Sequence, residues 1–308
     1  MFKKLKRYAR DPYYALGYDL IQKHPNWLSD EMFVNTLWLM LMGYKLDLKN
    51  PHGFNEKLQW LKLNDHNPIY PTLVDKYRVK PYVSEKIGAE HVIPTIAVWH
   101  SADEIELDKL PNQFVLKCNH DSGSVVICRD KATFDLEAAK QKLGKALKHN
   151  FYWDAREWAY RKIKPVVFAE QYMEDEATAT KDDKDLLTYK FMCFDGEPYI
   201  CYVTVKGDTI WENYYNLDFQ PLDIHRKYPM STKQLVKPKS FDKMVDIARK
   251  LSRGLTHVRM DLYEVNGQVY FSEYTFYDWG GLFKFSPEWE QKLGDMIKLK
   301  KSECIRSL

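Results

Sequence analysis

Cysteine is scarce in this chain of 308 residues, and no two of its five cysteines form a Cys-x-x-Cys pair. An odd number at this spacing argues against a disulfide framework and against a structural zinc site. Long apolar runs are also missing. The first residues lack the apolar core of a secretory signal, and the stretch 37–42 is too short to cross a bilayer. We therefore expect a cytoplasmic protein.

Neither sign of charge prevails, since 46 Lys and Arg residues balance 43 Asp and Glu residues at a net charge of +3. Affinity for nucleic acid needs a concentrated basic surface, so this balance argues against a general nucleic-acid binder. The G-x-x-x-x-G-K-S/T phosphate loop is absent as well. Aromatic residues reach 15%. Most should pack in a core, although Trp211, Tyr214 and Tyr215 are candidates for a sugar-stacking platform.

Helical and strand patterns follow one another along the chain. The capping sequence Ser29-Asp30-Glu31 precedes apolar residues at helical spacing, and Gly43 can end this helix. Further helices are predicted over 55–63, 75–87, 134–149 and 241–253, and strands over 91–97, 114–118, 124–128, 166–171, 257–265 and 268–275. This order predicts an α+β protein built on antiparallel sheets.

One candidate anion site combines a strand-end lysine with a loop of small residues. Lys117 ends a predicted strand, and Asp121, Ser122, Gly123 and Ser124 follow in a tight loop. The ammonium group and the loop N–H groups could approach the same phosphate. The alternative is an ordinary hairpin with a surface lysine.

A second candidate site pairs two carboxylates on neighbouring strands. Asp261 lies on one strand of a hairpin and Glu273 on the other, a pattern suited to Mg²⁺ completed by phosphates and water. Arg259 is on the same side of the strand as Asp261 and can reach phosphate oxygens. The alternative is a pair of solvated acids on a surface hairpin.

The turn of this hairpin decides whether the two acids share a face. A two-residue turn at 266–267 would set Asp261 opposite Ser272 and turn Glu273 to the other face. A three-residue loop, 265–267, with Gly267 left-handed in a bulge, would set Asp261 opposite Phe271 with Glu273 diagonally adjacent. We therefore predict the three-residue loop.

Two further strands carry candidate residues. Lys190 lies inside an apolar strand, where a lysine either extends from a sheet edge or meets an anion. Glu170, Gln171 and Met173 lie where another strand runs into acidic residues, and such a strand end can present backbone groups to an adenine edge. The alternative is a strand that ends in a polar turn.

Taken in order, these segments resemble the ATP-grasp superfamily. More closely, they resemble the ATP-grasp amidoligase family of bacterial surface-polysaccharide and teichuronopeptide gene clusters, some of whose members carry a glycosyltransferase label. The resemblance covers about residues 50–290 and is carried by Phe54–Trp60, Asp75–Lys80, Leu116–Ser124, Tyr189–Gly196 and Val258–Phe276.

The resemblance implies a fold in which two α+β subdomains grip ATP between antiparallel sheets, with an N-terminal helical segment. The implied boundaries are a helical segment at 1–68, a helix–strand connection at 69–111, an ATP-grasp lid at 112–175 and a C-terminal subdomain with the metal site at 176–308.

By resemblance, Lys76 and Lys117 contact ATP, the loop 121–124 closes over the phosphates, and Gln171 and Met173 offer backbone to adenine beside Glu170. One of Glu174, Asp175 and Glu176 holds the ribose. Asp261 and Glu273 bind Mg²⁺ (or Mn²⁺), and Thr275 stands where the superfamily has a third ligand, asparagine. Arg259 and Lys190 neutralise charge during the reaction.

The implied reaction is phosphoryl transfer from ATP to a carboxylate, followed by attack of an amine on the acyl phosphate. A uronic acid of a cell-surface polysaccharide and an amino acid or amine are the expected substrates. The alternatives are a metal-dependent glycosyltransferase, for which only Asp183-Lys-Asp185 offers a D-x-D spacing, and a non-catalytic carbohydrate-binding protein. The basic N-terminus is compatible with peripheral membrane contact through a docking or membrane-facing element, but we favour the alternative of an amphipathic helical layer packed on the main fold.

Overall fold

The computed structural model describes residues 11–23, 25–175, 186–205, 210–226, 228–231 and 235–300. The helices are α1 Pro12–Lys23, α2 Asp30–Met42, α3 Phe54–Asn64, α4 Tyr70–Val74, α5 Val79–Ile87, α6 Leu136–Leu147, α7 Tyr152–Ala155, α8 Phe241–Ser252 and α9 Pro287–Met296. The strands are β1 Thr95–Trp99, β2 Phe114–Cys118, β3 Val126–Cys128, β4 Val167–Gln171, β5 Thr188–Phe194, β6 Glu197–Val205, β7 Trp211–Tyr215, β8 Pro221–Leu222, β9 His257–Val265 and β10 Gln268–Thr275. The basic residues 1–10 and the acidic residues 183–185 lie outside the described residues.

The strands form two antiparallel sheets. The small sheet has the order β1-β4-β2-β3, and the large sheet has the order β10-β9-β5-β6-β7-β8. The prediction of an α+β protein with antiparallel sheets is confirmed. Because β1 joins β2–β4, the small sheet draws on both the 69–111 and the 112–175 segments.

Each sheet buries one face under a helix. On β2, Phe114 and Leu116 point toward Ala139 and Leu143 of α6, because alternate side chains of a strand point to opposite faces. Val115 and Lys117 therefore lie on the other face. In the large sheet, α8 packs on β5, β6 and β9 in the same way. Both sheets are left with one face for the site.

The N-terminal helices follow the sequence signals. The Ser29 hydroxyl accepts a hydrogen bond from Met32 N at 3.2 Å, and Gly43 adopts a left-handed φ of 79° after α2. The predicted second helix is α3, which contacts α9 through Asn55, whose amide donates to Glu290 at 2.8 Å. Among the described helices, none combines the length and the apolar character needed to cross a membrane.

The predicted helix over 75–87 is wrong in its first turn. The Asp75 carboxylate accepts hydrogen bonds from Tyr77 N at 3.0 Å and Arg78 N at 2.8 Å, and these bonds fold the chain into a turn between α4 and α5. The strand predicted over 91–97 begins later, at Thr95, and its first predicted residue, His91, lies in a short 3₁₀ turn over 89–91.

The predicted three-residue loop of the β9–β10 hairpin is also wrong. Val265 pairs with Gln268, so the turn has two residues, Asn266 and Gly267, both at positive φ. A bulge at Ser272 then shifts the register within β10. The register shift that we expected inside the turn therefore occurs within β10, five residues after Gly267.

A buried amide ties the start of α5 to the small sheet. Asn119 is fully buried, and its Nδ2 donates to Asp75 at 2.7 Å and to Lys164 O at 3.1 Å. Its Oδ1 accepts from Val166 N at 2.8 Å. These bonds hold the segment that carries Lys76 against the ends of β2 and β4.

We expect Asn119→Ala to lower the free energy of unfolding by about 2 kcal/mol or more, because it leaves several buried polar groups unpaired. Urea denaturation would measure this. Asn64→Ala, which removes one hydrogen bond within α3, should cost less than about 1 kcal/mol. Equal losses in the two variants would contradict the role given to Asn119.

Candidate functional site

A cavity of about 820 Å³ opens between the free faces of the two sheets. Most residues singled out from the sequence line it: Lys76, Lys117, Asp121, Ser122, Gly123, Ser124, Glu170, Gln171, Met173, Lys190, Arg259, Asp261, Glu273 and Thr275. The three candidates for the ribose do not. Glu174 and Asp175 are described but are not part of the lining, and Glu176 lies outside the described residues.

The small sheet contributes an ion-paired carboxylate. Glu170 pairs with Val115 across β2 and β4, which makes Lys117 its diagonal neighbour on the same face. Glu170 Oε2 lies 2.5 Å from Lys117 Nζ, and Oε1 lies 2.5 Å from Lys80 Nζ. The Lys80 ammonium also donates to Ile93 O at 2.9 Å. Lys80, the last residue of the D-K-Y-x-x-K segment, received no role from the sequence.

Burial and the attraction of Glu170 act in opposite directions on the pKa values of Lys117 and Lys80, and the net effect differs between the two lysines. Burial would raise the pKa of Glu170, but the charges of Lys117 and Lys80 lower it. For Lys117, the negative charge of Glu170 outweighs burial and raises the lysine pKa. For Lys80, burial prevails and lowers the pKa. Glu170 and Lys117 thus each favour the charged form of the other.

Lys76 connects the loop 121–124 to the large sheet. Its Nζ donates to Asp121 O at 2.8 Å and lies 2.9 Å from Glu273 Oε2. The loop is closed by Ser124, whose hydroxyl donates to Asp121 Oδ1 at 2.6 Å. Gly123 has a φ of 104°, which side-chain-bearing residues rarely adopt. The loop therefore lies over the cavity with its geometry set by short internal bonds.

The large sheet places charged groups in one row across its strands. Glu273, Asp261, Lys190 and Tyr202 pair in succession across β10, β9, β5 and β6. The bulge at Ser272 is what sets Glu273 directly opposite Asp261, on the same face. The prediction that the two acids share one face is confirmed. The three-residue loop predicted to bring this about is wrong, because the bulge does so instead.

Arg259 holds the acids of this row in place. Its Nε and Nη2 each lie 2.6 Å from an oxygen of Asp261, and Nη2 lies 3.3 Å from Glu273 Oε1. Burial would raise the pKa of Glu273, but Lys76 and Arg259 lower it to about 2. The remaining Arg259 nitrogen, Nη1, donates to Asp278.

Asp278 is a site residue that sequence reasoning missed. It is fully buried and accepts hydrogen bonds from Arg259, from Arg226 and, at 2.9 Å, from the Tyr202 hydroxyl. The two guanidinium groups outweigh burial and lower its pKa. An acid inside the apolar segment F-Y-D-W-G-G was the available signal, since a buried acid needs a cation.

Lys190 lies in the middle of the large sheet, since β5 runs between β9 and β6. The alternative of a lysine extending from a sheet edge is therefore excluded. Its Nζ donates to Thr204 Oγ1 at 2.8 Å and lies 5.2 Å from the centre of the Tyr202 ring. Burial lowers the pKa of Lys190.

The three aromatic residues considered for a sugar platform do not form one on the cavity wall. Tyr214 and Tyr215 are buried, and Tyr215 stacks on Phe219 at 4.1 Å, so both belong to the core. Trp211 is not part of the cavity lining. The aromatic residues that line the cavity are Tyr18, Phe151, Phe168, Tyr160, Tyr172, Tyr228, Tyr263, Tyr277, Trp279 and Phe283.

Residues 56–298 match the model of the family described as TupA-like ATPgrasp. The chain belongs to that family. The match includes both sheets and every cavity residue singled out from the sequence, so the predicted ATP-grasp fold is confirmed.

Solved structures similar to this ATP-grasp chain include the L-amino acid ligase from Bacillus licheniformis, at 13% identity and a TM-score of 0.47, covering 91% of this chain and 65% of that chain. A D-alanine–D-alanine ligase from Bacillus anthracis complexed with ATP is similar at 14% identity and a TM-score of 0.38, covering 67% of this chain and 54% of that chain. The chain thus spans about half to two thirds of the length of these proteins. The comparison with curated proteins finds no match.

The donor set of this ATP-grasp site fits Mg²⁺. The described residues contain no cluster of three or more His, Cys, Asp or Glu side chains suited to a metal ion. Asp261 and Glu273 supply two carboxylates facing the cavity, and Thr275 lines it nearby. Magnesium is commonly held by one or two carboxylates, with substrate phosphates and water as the other ligands.

We expect Glu170→Gln to lower the free energy of unfolding at pH 7 by about 3 kcal/mol, because it leaves two buried ammonium groups without a counter-charge. A carboxyl with a lowered pKa stabilises the fold above its ordinary value of 4.5, and this contribution is lost as the pH falls. Urea denaturation should therefore show the gap between the two proteins closing below pH 4.5.

The matched control is Glu197→Gln, which removes an exposed carboxylate paired with Arg249. Its cost should stay below about 1 kcal/mol at each pH. A gap for Glu170→Gln that is independent of pH would contradict the assigned ion pairs.

Proposed function

We propose that the chain is an ATP-dependent ligase that joins a carboxylate to an amine through an acyl phosphate. The observation that carries this proposal is the cavity itself, in which Lys117 of the small sheet and Lys76 of the adjoining turn oppose the paired carboxylates of the large sheet. Phosphoryl transfer needs little covalent chemistry from a protein and is accelerated by positioning and by charge neutralisation. The residues of the cavity are suited to both tasks.

The nucleotide occupies the small-sheet side. Adenine packs on an apolar wall that includes Val115, Ile127 and Phe168, and the strand end at Gln171 and Met173 offers its backbone to the adenine edge. The ion pair with Glu170 orients Lys117 at the end of this wall. The phosphates then lie beneath the loop 121–124.

The γ-phosphate points toward the large sheet. Asp261 and Glu273 would hold Mg²⁺, which when bound neutralises charge on the phosphates and aligns them. Arg259 and Lys190 add fixed positive charge on the same face, so negative charge that develops on the phosphoryl oxygens is stabilised without rearrangement. Lys76 completes the ring of cations from the loop side.

The carboxylate substrate is a uronic acid of a bacterial cell-surface polysaccharide or its precursor, and the nucleophile is an amino acid or amine. Support comes from the resemblance stated above and from the aromatic end of the cavity, where Tyr228, Trp279 and Phe283 line the wall. Aromatic faces of this kind suit the apolar faces of sugar rings.

Nucleotide specificity gives the first test. We expect ATP with Mg²⁺, at about 100 times Kd, to raise the Tm by roughly 5 °C through binding to the native state alone. Lys117→Ala should abolish most of this rise, and Lys109→Ala, which alters an exposed lysine paired with Glu106, should not. Differential scanning fluorimetry would measure the shifts.

The same titration with UDP-sugars and Mn²⁺ tests the alternative. A rise with UDP-sugar and none with ATP would overturn the ligase in favour of a glycosyltransferase. No rise with either nucleotide, combined with binding to free sugar polymers, would favour a non-catalytic carbohydrate-binding protein.

Turnover gives the second test. A panel of uronic acids is incubated with ATP, Mg²⁺ and excess hydroxylamine, which traps an acyl phosphate as a hydroxamate. We expect ADP and hydroxamate to form together, and Asp261→Asn and Glu273→Gln each to slow both by at least about 100-fold. Asp242→Asn, an exposed acid paired with Lys237, is the control. Unchanged rates in both site variants would refute the metal-site assignment.

A further inference from the structure

Glu157 is a buried acid of the cavity that the proposed ATP and metal roles leave unused. The residue is 6% exposed and lines the cavity. Within the part of the chain that the structure describes, no group donates a hydrogen bond to its carboxylate. Its carboxylate opens to the cavity, where a ligand that carries a hydrogen-bond donor can reach it.

The cations near Glu157 are engaged elsewhere. Lys62 Nζ donates to Gly280 O at 2.6 Å and to Gln59 Oε1 at 2.9 Å, and forms no salt bridge with Glu157. Arg259 is bound to its own three acids. The Glu157 carboxylate therefore attracts a cation, and no cationic side chain among the described residues contacts it.

The position of Glu157 is close to the phosphoryl-transfer centre. Tyr160 lines the same cavity, and after burial itself, the charges of Glu157 and Glu273 are the main causes that raise the pKa of its hydroxyl. Glu157 and Glu273 are therefore both near enough to Tyr160 to act on it electrostatically.

The wall beside Glu157 is a tight loop after β10. Trp279, Gly280 and Gly281 all have positive φ values, and a methyl group added at Gly280 would lie 3.5 Å from Glu157 Oε1. Gln59 Nε2, from α3, donates to Gly281 O at 2.8 Å and holds this loop in place. The fixed backbone leaves the carboxylate beside a small residue, where a compact group such as an ammonium fits.

We propose that Glu157 binds the protonated amino group of the amine substrate and accepts one of its protons. The inference rests on the proposed ligase function and names the binding site of its second substrate. The ligand class is a primary amine that is an ammonium ion at neutral pH, such as an amino acid.

The protonation equilibrium of Glu157 suits this task. Burial raises its pKa to about 7, against the opposing attraction of Lys62. The other charged groups that act on it are Asp154 of α7, Arg259 of β9 and Asp278 of the loop. A base whose pKa lies near the working pH is both partly ionised and able to take a proton.

The step is balanced with the substrates of the proposed reaction. The ammonium gives one proton to the Glu157 carboxylate, and the freed nitrogen lone pair forms the C–N bond at the acyl carbon. The C–O bond to phosphate then breaks with its electron pair, and the second proton leaves the nitrogen for the departing phosphate. Glu157 later returns its proton to solvent.

The experiment compares two nucleophiles in wild type and Glu157→Gln, with the uronic acid that gives the most hydroxamate. Hydroxylamine is a neutral base at pH 7 and needs no deprotonation, whereas glycine arrives as an ammonium. We expect the ratio of glycine to hydroxylamine rates to fall at least about 100-fold in Glu157→Gln. In Glu157→Gln, the glycine rate should lose the part of its increase with pH that depends on ionisation of Glu157. Glu157→Asp should recover part of the ratio.

The control is Glu212→Gln, which also removes a buried carboxyl but one that is hydrogen-bonded by Tyr214 and does not line the cavity. Its ratio of rates should equal that of wild type. Equal losses with both nucleophiles in Glu157→Gln, or no loss with either, would overturn the inference while leaving the ligase intact. A wild-type protein that forms no hydroxamate would overturn the ligase and the inference together.

Discussion

Arg259 lies buried among Asp261, Asp278 and Glu273, and the geometry of the large-sheet wall depends on these ion pairs. Burying a guanidinium group is favourable only if nearly all of its donors are satisfied. Here each nitrogen has an acidic partner, one on its own strand, one on the neighbouring strand and one on the loop after it. Removing Asp261 or Asp278 would take the acidic acceptor from buried guanidinium N–H groups, so the strand register and the loop are fixed together.

The same constraint explains why the two walls of the cavity differ. The small sheet carries one acid, Glu170, that orients two lysines, and the large sheet carries one arginine that orients acids. Lys76 crosses from the loop to Glu273 and joins the two arrangements. In the proposed function, polyphosphate would bring negative charge to the lysine side, and a divalent cation would bring positive charge to the acid side. The charges of the walls are thus complementary to a metal–nucleotide complex in one orientation.

Sequence periodicity carried the prediction a long way because the side chains of a strand alternate between faces. Lys117, Lys190, Asp261 and Glu273 all face the cavity, as their positions on strands implied. The turn geometry of the β9–β10 hairpin could not be predicted, because two solutions bring the acids to one face. One is a three-residue loop, and the other is a two-residue turn with a bulge at Ser272. The sequence contains the residues for either solution.

Residues that act from outside the strands were harder to find. Asp278 lies on a loop and Glu157 before a short helical turn, and the cations that act on each are distant in sequence. No spacing rule connects Glu157 to Lys62 or to Gly280. The helix error at 75–78 has a similar origin, since the Asp75 side chain bonds to Asn119 as well as to the local backbone. Local propensity favours a helix there, and tertiary contacts favour a turn.

Transfer of oxygen-18 from a labelled carboxylate tests the central claim most directly. If the cavity activates a carboxylate as an acyl phosphate, the oxygen that bridges carbon and phosphorus stays with phosphorus when the amine displaces it. With a uronic acid labelled in its carboxyl group, the account predicts one labelled oxygen in each inorganic phosphate released, measured by mass spectrometry. Inorganic phosphate without label, formed at the same rate as amide, would contradict it.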